Sequence, residues 1–221
     1  MDFNRIIARN SIYLDFEGEG KSRNTGIPLP HMAGVFRPNP GNGSNEKYEA
    51  IFFKEFWKPC KNGSQNKGRI EKFATTIENL IKEAKDKDAC IVFWSDYERS
   101  VIELNAPAYL DMFEGVSFNL LPPLRKIKNS KAIVLDENLK KKVLNQYLKA
   151  FCPNRPLVQT YNIGPAEACR RIDNFSEHYP KWGNWPTEKK QYLYDLLKYN
   201  EEDCRATWWL GKKLGNINQS R

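Results

Sequence analysis

Asp15 and Glu17 stand two residues apart in the run Ser11-Ile12-Tyr13-Leu14-Asp15-Phe16-Glu17. The alternation of this run predicts a β-strand, on which side chains at i and i+2 share a face. Ile12, Leu14 and Phe16 then point one way, and Tyr13, Asp15 and Glu17 the other. Neighbouring carboxylates on one strand face repel, which is costly unless a cation lies between them. A hard divalent ion such as Mg²⁺ takes carboxylate oxygens as ligands and suits that place. An exposed acidic strand end is the plainer reading, and the pair taken alone favours it.

A second acidic site shifts the balance. Tyr199-Asn200-Glu201-Glu202-Asp203 lies in a stretch predicted as helix from about Thr187 to Leu214, with Thr187 as N-cap and Gly211 and Gly215 at its fading end. Tyr199 and Asp203 are four apart and share one helical face. A helical tyrosine near an acid is usually structural. Paired with an early Asp-x-Glu strand, it is much less common by chance.

These two sites resemble motifs I and III of the DEDDy branch of RNase H-like 3′–5′ exonucleases, above all the RNase H-like nuclease domains found beside, or fused to, helicases and RecB-type nucleases. The run Tyr199-Asn200-Glu201-Glu202-Asp203-Cys204-Arg205-Ala206-Thr207 has that family's Tyr-Asn-x-x-Asp-x-x-Ala-Thr form, and the likeness spans Asp15 to Thr207. The DEDDh branch places a histidine five residues before the last aspartate; Lys198 stands there, which disfavours that branch. The resemblance implies an α/β RNase H-like fold, a central mixed β-sheet flanked by helices. It implies a single domain over residues 1–221 with its core at about 10–214.

The resemblance also calls for a carboxylate where a middle strand runs into a helix. Ile91-Val92-Phe93-Trp94 reads as a short buried strand, and the chain from Tyr97 as a helix with Val101 and Leu104 inward. Tyr97-Glu98 matches the family's aromatic-then-acid pattern, so Glu98 is preferred, although the usual acid is Asp. Asp96 is the rival, and it also suits an N-cap. Asn119 stands where relatives often carry Asp, which bears on substrate handling and not on the ligand set.

The function implied by the resemblance is that of a metal-dependent 3′–5′ exonuclease acting on nucleic acid, with single-stranded DNA favoured and RNA open. Two Mg²⁺ or Mn²⁺ ions would lie about 3.5–4 Å apart. Asp15, Glu17 and Asp203 would hold the ion that activates water, Asp15 would bridge to the second ion, and Glu98 would assist. Tyr199 would orient the water, since a phenol with an ordinary pKa near ~10 is a poor base at neutral pH. Three alternatives stay open: a nuclease-fold subunit that binds nucleic acid or a helicase or nuclease partner without cutting, an endonuclease on the same scaffold, and an unrelated acidic surface protein.

Composition sets outer bounds. A chain of 221 residues can bury one sizeable core but cannot hold this nuclease and a helicase together. No apolar run approaches membrane-spanning length, and Met1 to Asn10 has no long apolar region, so a cytoplasmic protein is expected. Five scattered cysteines without a Cys-x-x-Cys pair point to reduced thiols, not zinc or a disulfide framework. The net charge of +8 coexists with an acidic site, so the positive surface must lie elsewhere. Arg125, Lys126, Lys128 and Lys131 form one candidate patch for a phosphate backbone, and Lys140, Lys141 and Lys142 another. Lysine runs also commonly serve only as a solvated helix face.

Periodicity orders the remainder. Strands are predicted at His31–Phe36 and Tyr48–Phe53 around a turn-rich loop at Pro38–Ser44, then a polar loop at Lys58–Lys67. An amphipathic helix is predicted over Arg69–Lys87, another over Glu137–Phe151 using Leu139, Val143, Tyr147 and Phe151, and a short one over Pro165–Ile172. Asn174–Pro186, with His178, Tyr179, Trp182 and Trp185, reads as an ordered loop. Its aromatics either border a substrate groove or tie the loop to the body, and the second reading is preferred.

Overall fold

The alternation of the first acidic segment produces strand β1 (Ile12–Glu17), whose two faces feed two separate cores. Ile12, Leu14 and Phe16 join one cluster with Ile77, Ile81 and Phe113, while Tyr13 joins the other with Leu196 and Leu210. The computed structural model of the chain describes residues 8, 10–20, 26–38, 46–65, 67–131, 133–135, 143–159, 161 and 163–219.

Strands β2 (Met32–Arg37) and β3 (Lys47–Phe52) continue from β1 as an antiparallel meander. Strand β4 (Gly68–Ile70) runs parallel to β3 at one edge. On the other side of β1, β5 (Ile91–Phe93) and then β6 (Ser117–Asn119) run parallel to it. The sheet is therefore mixed and six-stranded, in the order β4-β3-β2-β1-β5-β6. Parallel neighbours need crossovers, and helices supply them. Helices α1 (Lys58–Gly63), α2 (Phe73–Asp86), α3 (Asp96–Asn105), α4 (Leu110–Val116) and α5 (Leu121–Ser130) alternate with the later strands. Helices α6 (Val143–Phe151), α7 (Pro165–His178) and α8 (Thr187–Gln219) come after them. Helices α2 to α4 cover the Leu14 face, and α5 to α8 cover the Tyr13 face.

Several sequence expectations need correction. Arg69 and Ile70 belong to β4, because they pair with Ile51 and Phe52, so the helix starts only at Phe73. Part of the expected polar loop after Lys58 is helix α1, which Pro59 initiates beside the fully buried Trp57. In α3 the inward residues are Glu98, Val101 and Ile102, whereas Leu104 is 59% exposed, because the helix begins at Asp96 and turns Leu104 outward. Helix α7 continues to His178, with Ile172 and Ser176 buried, so Asn174–His178 is not loop. Helix α8 runs through Gly211 and Gly215 to Gln219, held there by buried Leu210 and Leu214. The amides of Lys189 and Lys190 donate to the Pro186 carbonyl, so Thr187 is the first helical residue and not the cap. In α6 Tyr147 and Phe151 are buried but Val143 is exposed; the predicted start of that helix, with Leu139 and Lys140 to Lys142, lies outside the described residues. Helix α4, strand β6 and helix α5 carry no alternation long enough to have been expected. Among the described residues no helix is long and apolar enough to cross a membrane.

Candidate metal centre and its cleft

Because β5 runs parallel to β1, with Ile12 opposite Ile91 and Tyr13 opposite Val92, the C-terminal ends of the two strands lie side by side. The chain after β5 turns into α3 through Ser95, whose hydroxyl accepts from the Tyr97 amide. Helix α8 returns across the Tyr13 face and packs on β1 and β2. Three segments far apart in sequence thus deliver acids to one place. Carboxylate oxygens of Asp15, Glu17 and Asp203 all lie within 4.8 Å of one another. Glu98, 3% exposed, stands just outside this trio, and its charge is felt by both Asp15 and Glu17.

Asn200 is the element to which the sequence alone assigned no role. It is fully buried, and its Nδ2 donates to Asp15 Oδ2 at 2.5 Å, while its Oδ1 accepts from the Tyr48 hydroxyl at 2.8 Å. Gly34, opposite Asp15 on β2, makes room for it: a Cβ there would sit 1.5 Å from Asn200 Oδ1. Cys204 Sγ donates to the Gly34 carbonyl at 3.6 Å and ties the next turn to the same strand. The only sequence signal for this clamp was the asparagine in Tyr199-Asn200-x-x-Asp203.

The electrostatics are those of buried acids that repel one another. Burial, then the charges of Glu17, Asp203 and Glu98, hold the Asp15 carboxyl well above its ordinary range. Burial and Asp203 raise Glu17, against an opposing hydrogen bond from Asn200. Burial pushes Glu98 up to about 7, with Asp203 adding and Ser95 opposing. Burial also pushes Asp203 up to about 7, with Glu202 adding and the Tyr199 hydroxyl opposing. Burial and the negative charge of Asp203, Glu17 and Asp15 drive the Tyr199 phenol far upward, so it stays a hydrogen-bond donor. An all-oxygen donor set, converging and self-repelling, fits a hard divalent cation.

The structure separates the two middle candidates. Asp96 is exposed and accepts from Asn119 Nδ2 at 2.7 Å, away from the trio. Ser95, not Asp96, caps α3. Glu98 completes the capping box, its Oε2 accepting from the Ser95 amide and hydroxyl, both at 3.3 Å. The basic residues sit elsewhere: Arg125, Lys126 and Lys131 are exposed and Lys128 half-buried, on and just after α5, and none lines the cleft at the acids.

That cleft, about 340 Å³, has Asp15, Asp203 and Tyr199 on one side and Trp94, Leu144, Val158, Ile163 and Tyr161 among its walls. Its rim is clamped from both sides. Asn145 Oδ1 accepts from the Val158 amide (2.8 Å) and Asn145 Nδ2 donates to the Val158 carbonyl (3.0 Å), while the Gln159 amide donates to Glu202 (2.8 Å). The Tyr161 ring meets Tyr199 edge-on at 6.5 Å.

A second group of possible ligands, Glu19, His31 and Asp173, already contains a cation: Lys54 Nζ lies 2.5 Å from Asp173 Oδ2 and 2.9 Å from His31 Nε2. Trp57 Nε1 donates to the other Asp173 oxygen at 2.6 Å. The aromatic stretch before α8 is tied to the body: Trp185 is buried and donates to the Tyr179 carbonyl, and Trp182 packs over Gly63.

No protein-family model, no curated protein and no solved structure matches this chain. The geometry of the acids is therefore the ground on which a function can be assigned.

Proposed function

We propose that the chain is a metal-dependent nuclease of RNase H-like fold that hydrolyses phosphodiester bonds of nucleic acid from the 3′ end, with single strands of DNA favoured. The observation that carries this reading is the convergence of Asp15 and Glu17 with Asp203, from opposite ends of the chain, at the wall of a cleft. The strand order supports it too, with an antiparallel β1-β2-β3 meander and β5 and β6 parallel to β1. Mg²⁺ or Mn²⁺ bound by Asp15, Glu17 and Asp203, with Glu98 beside them, would supply Lewis acidity and an activated water. The chain's own contribution is positioning. Asn200 holds Asp15 in a single orientation, and Tyr199 remains protonated, so it donates a hydrogen bond and does not remove a proton.

The test is degradation of end-labelled single-stranded DNA and RNA with Mn²⁺ and then with chelator. Shortening from the 3′ end that needs metal and disappears in Asp203→Asn is expected; a folded parent that degrades neither polymer would overturn the reading. One observation favours a second reading, a subunit that binds nucleic acid without cutting it: Glu98 is already engaged in capping α3. Tight binding with no metal-dependent cleavage would select that alternative.

A further inference from the structure

Helix α8 presents different residues on its two sides. Tyr199 and Asp203 face the cleft, while Tyr194, Lys198 and Glu201, spaced i, i+4, i+7, share another face. That face borders a groove of about 270 Å³ between α8 and the chain after α1, whose other lining includes Gln65 and Lys67. Tyr194 is 36% exposed, and the Trp182 ring meets its ring edge-on at 5.9 Å. Trp182 is fixed in turn by its seat on Gly63, where a Cβ would lie 2.4 Å from the ring. A third lysine, Lys190, stands over Trp182 at 5.6 Å.

The charge in the groove is available. Lys67 bonds Glu201 at 3.0 Å, an exposed pair of the kind that contributes little. Arg205 also holds Glu201, at 3.0 Å, so Lys67 can turn to a phosphate without leaving Glu201 bare. Lys198 lines the groove, yet its Nζ reaches Gln159 Oε1 at 3.3 Å, and Gln159 lines the acid cleft. The Lys198 side chain therefore reaches from the groove towards the cleft through Gln159.

We infer that this groove holds single-stranded nucleic acid, Tyr194 stacking on an unpaired base while Lys67 and Lys198 meet phosphates of the strand that leads to the cleft. The inference rests on the nuclease reading of the acids and adds to it a path for the substrate. An exposed aromatic ring beside lysine ammonium groups is the combination that takes unpaired bases without regard to sequence.

The experiment is fluorescence anisotropy of the full chain in chelator, which blocks cleavage, with labelled oligo-dT and oligo-U of about 12 nucleotides, repeated over a range of salt. Tyr194→Leu should weaken binding about tenfold without altering the salt dependence, and Tyr194→Phe should restore it. Lys198→Ala should weaken binding and lower the slope of log affinity against log salt by about one. Thermal unfolding of each variant separates lost binding from lost fold. Parent-like binding by Tyr194→Leu, an unchanged slope in Lys198→Ala, or no single-strand binding by the parent would each overturn the inference. The two claims fail separately. Metal-dependent cleavage with parent-like variants removes the groove and leaves the nuclease, whereas the expected variant pattern without any cleavage removes the nuclease and leaves the groove.

Discussion

Asp203→Asn should stabilise the metal-free chain at alkaline pH while removing its response to metal. Asp203 titrates near 7 in the fold against an ordinary value of 3.8, chiefly because it is desolvated. A shift of that size corresponds to roughly 4 kcal/mol of penalty once the group is ionised in both states. Some of it is shared with Glu98, which also titrates near 7, so a recovery of about 2–4 kcal/mol is expected, on the order of 10 °C in Tm for a chain of this length. The pH dependence has a definite sign. Both states are protonated below about pH 3, so parent and variant should melt together there. As pH rises towards 7 the unfolded parent releases its proton first, the folded parent loses stability, and the gap opens; above about pH 8 it should be constant. Thermal unfolding by circular dichroism in chelator at acidic, neutral and alkaline pH measures this directly. Adding Mn²⁺ should then raise the Tm of the parent and leave that of the variant nearly unmoved. Equal melting of the two proteins at pH ~8.5 in chelator, or a gap independent of pH, would refute the claim that Asp203 sits among uncompensated acids.

Other consequences are open to measurement. Tyr199→Phe removes the protonated phenol beside Asp203 and should lower kcat about 10–100-fold with KM little changed; an unaltered kcat would take Tyr199 out of the reaction. Glu98→Gln should depress metal-dependent cleavage strongly while Asp96→Asn stays near the parent rate, because only Glu98 is buried against the other acids; the opposite ranking would reassign the middle acid. Gly34→Ala would put a Cβ 1.5 Å from Asn200 Oδ1, so Asn200 must leave Asp15; cleavage should collapse and stability fall by about 1–3 kcal/mol, and a parent-like variant would show the clamp to be dispensable.

Legibility in the sequence tracked the length of the pattern. Strand β1 was readable because six alternating residues separate two cores, and the same alternation put Asp15 and Glu17 on the Tyr13 face. The stripe of α2 was readable from Phe73 on, but Arg69 and Ile70 were absorbed into it, since a three-residue edge strand has too few residues to show its own period. Strand β6 escaped notice for the same reason. At the site, the acids were legible as residue types, and Tyr199 and Asp203 by helical spacing. Asn200 was not, because its role depends on Gly34 and Tyr48, which pairing across the sheet brings to it. The choice of Glu98 over Asp96 rested on the aromatic-then-acid pattern of Tyr97-Glu98; the start of α3 at Asp96, which leaves Asp96 exposed and buries Glu98, had no signal of its own in the sequence.

The central claim is that the first strand and the last helix share divalent cations, and anomalous scattering from crystals soaked in Mn²⁺ tests it most directly. Peaks should lie among the carboxylates of Asp15, Glu17 and Asp203 and vanish in Asp203→Asn. Crystals with no peak there, or with manganese only at Glu19, His31 and Asp173 in place of Lys54, would contradict it.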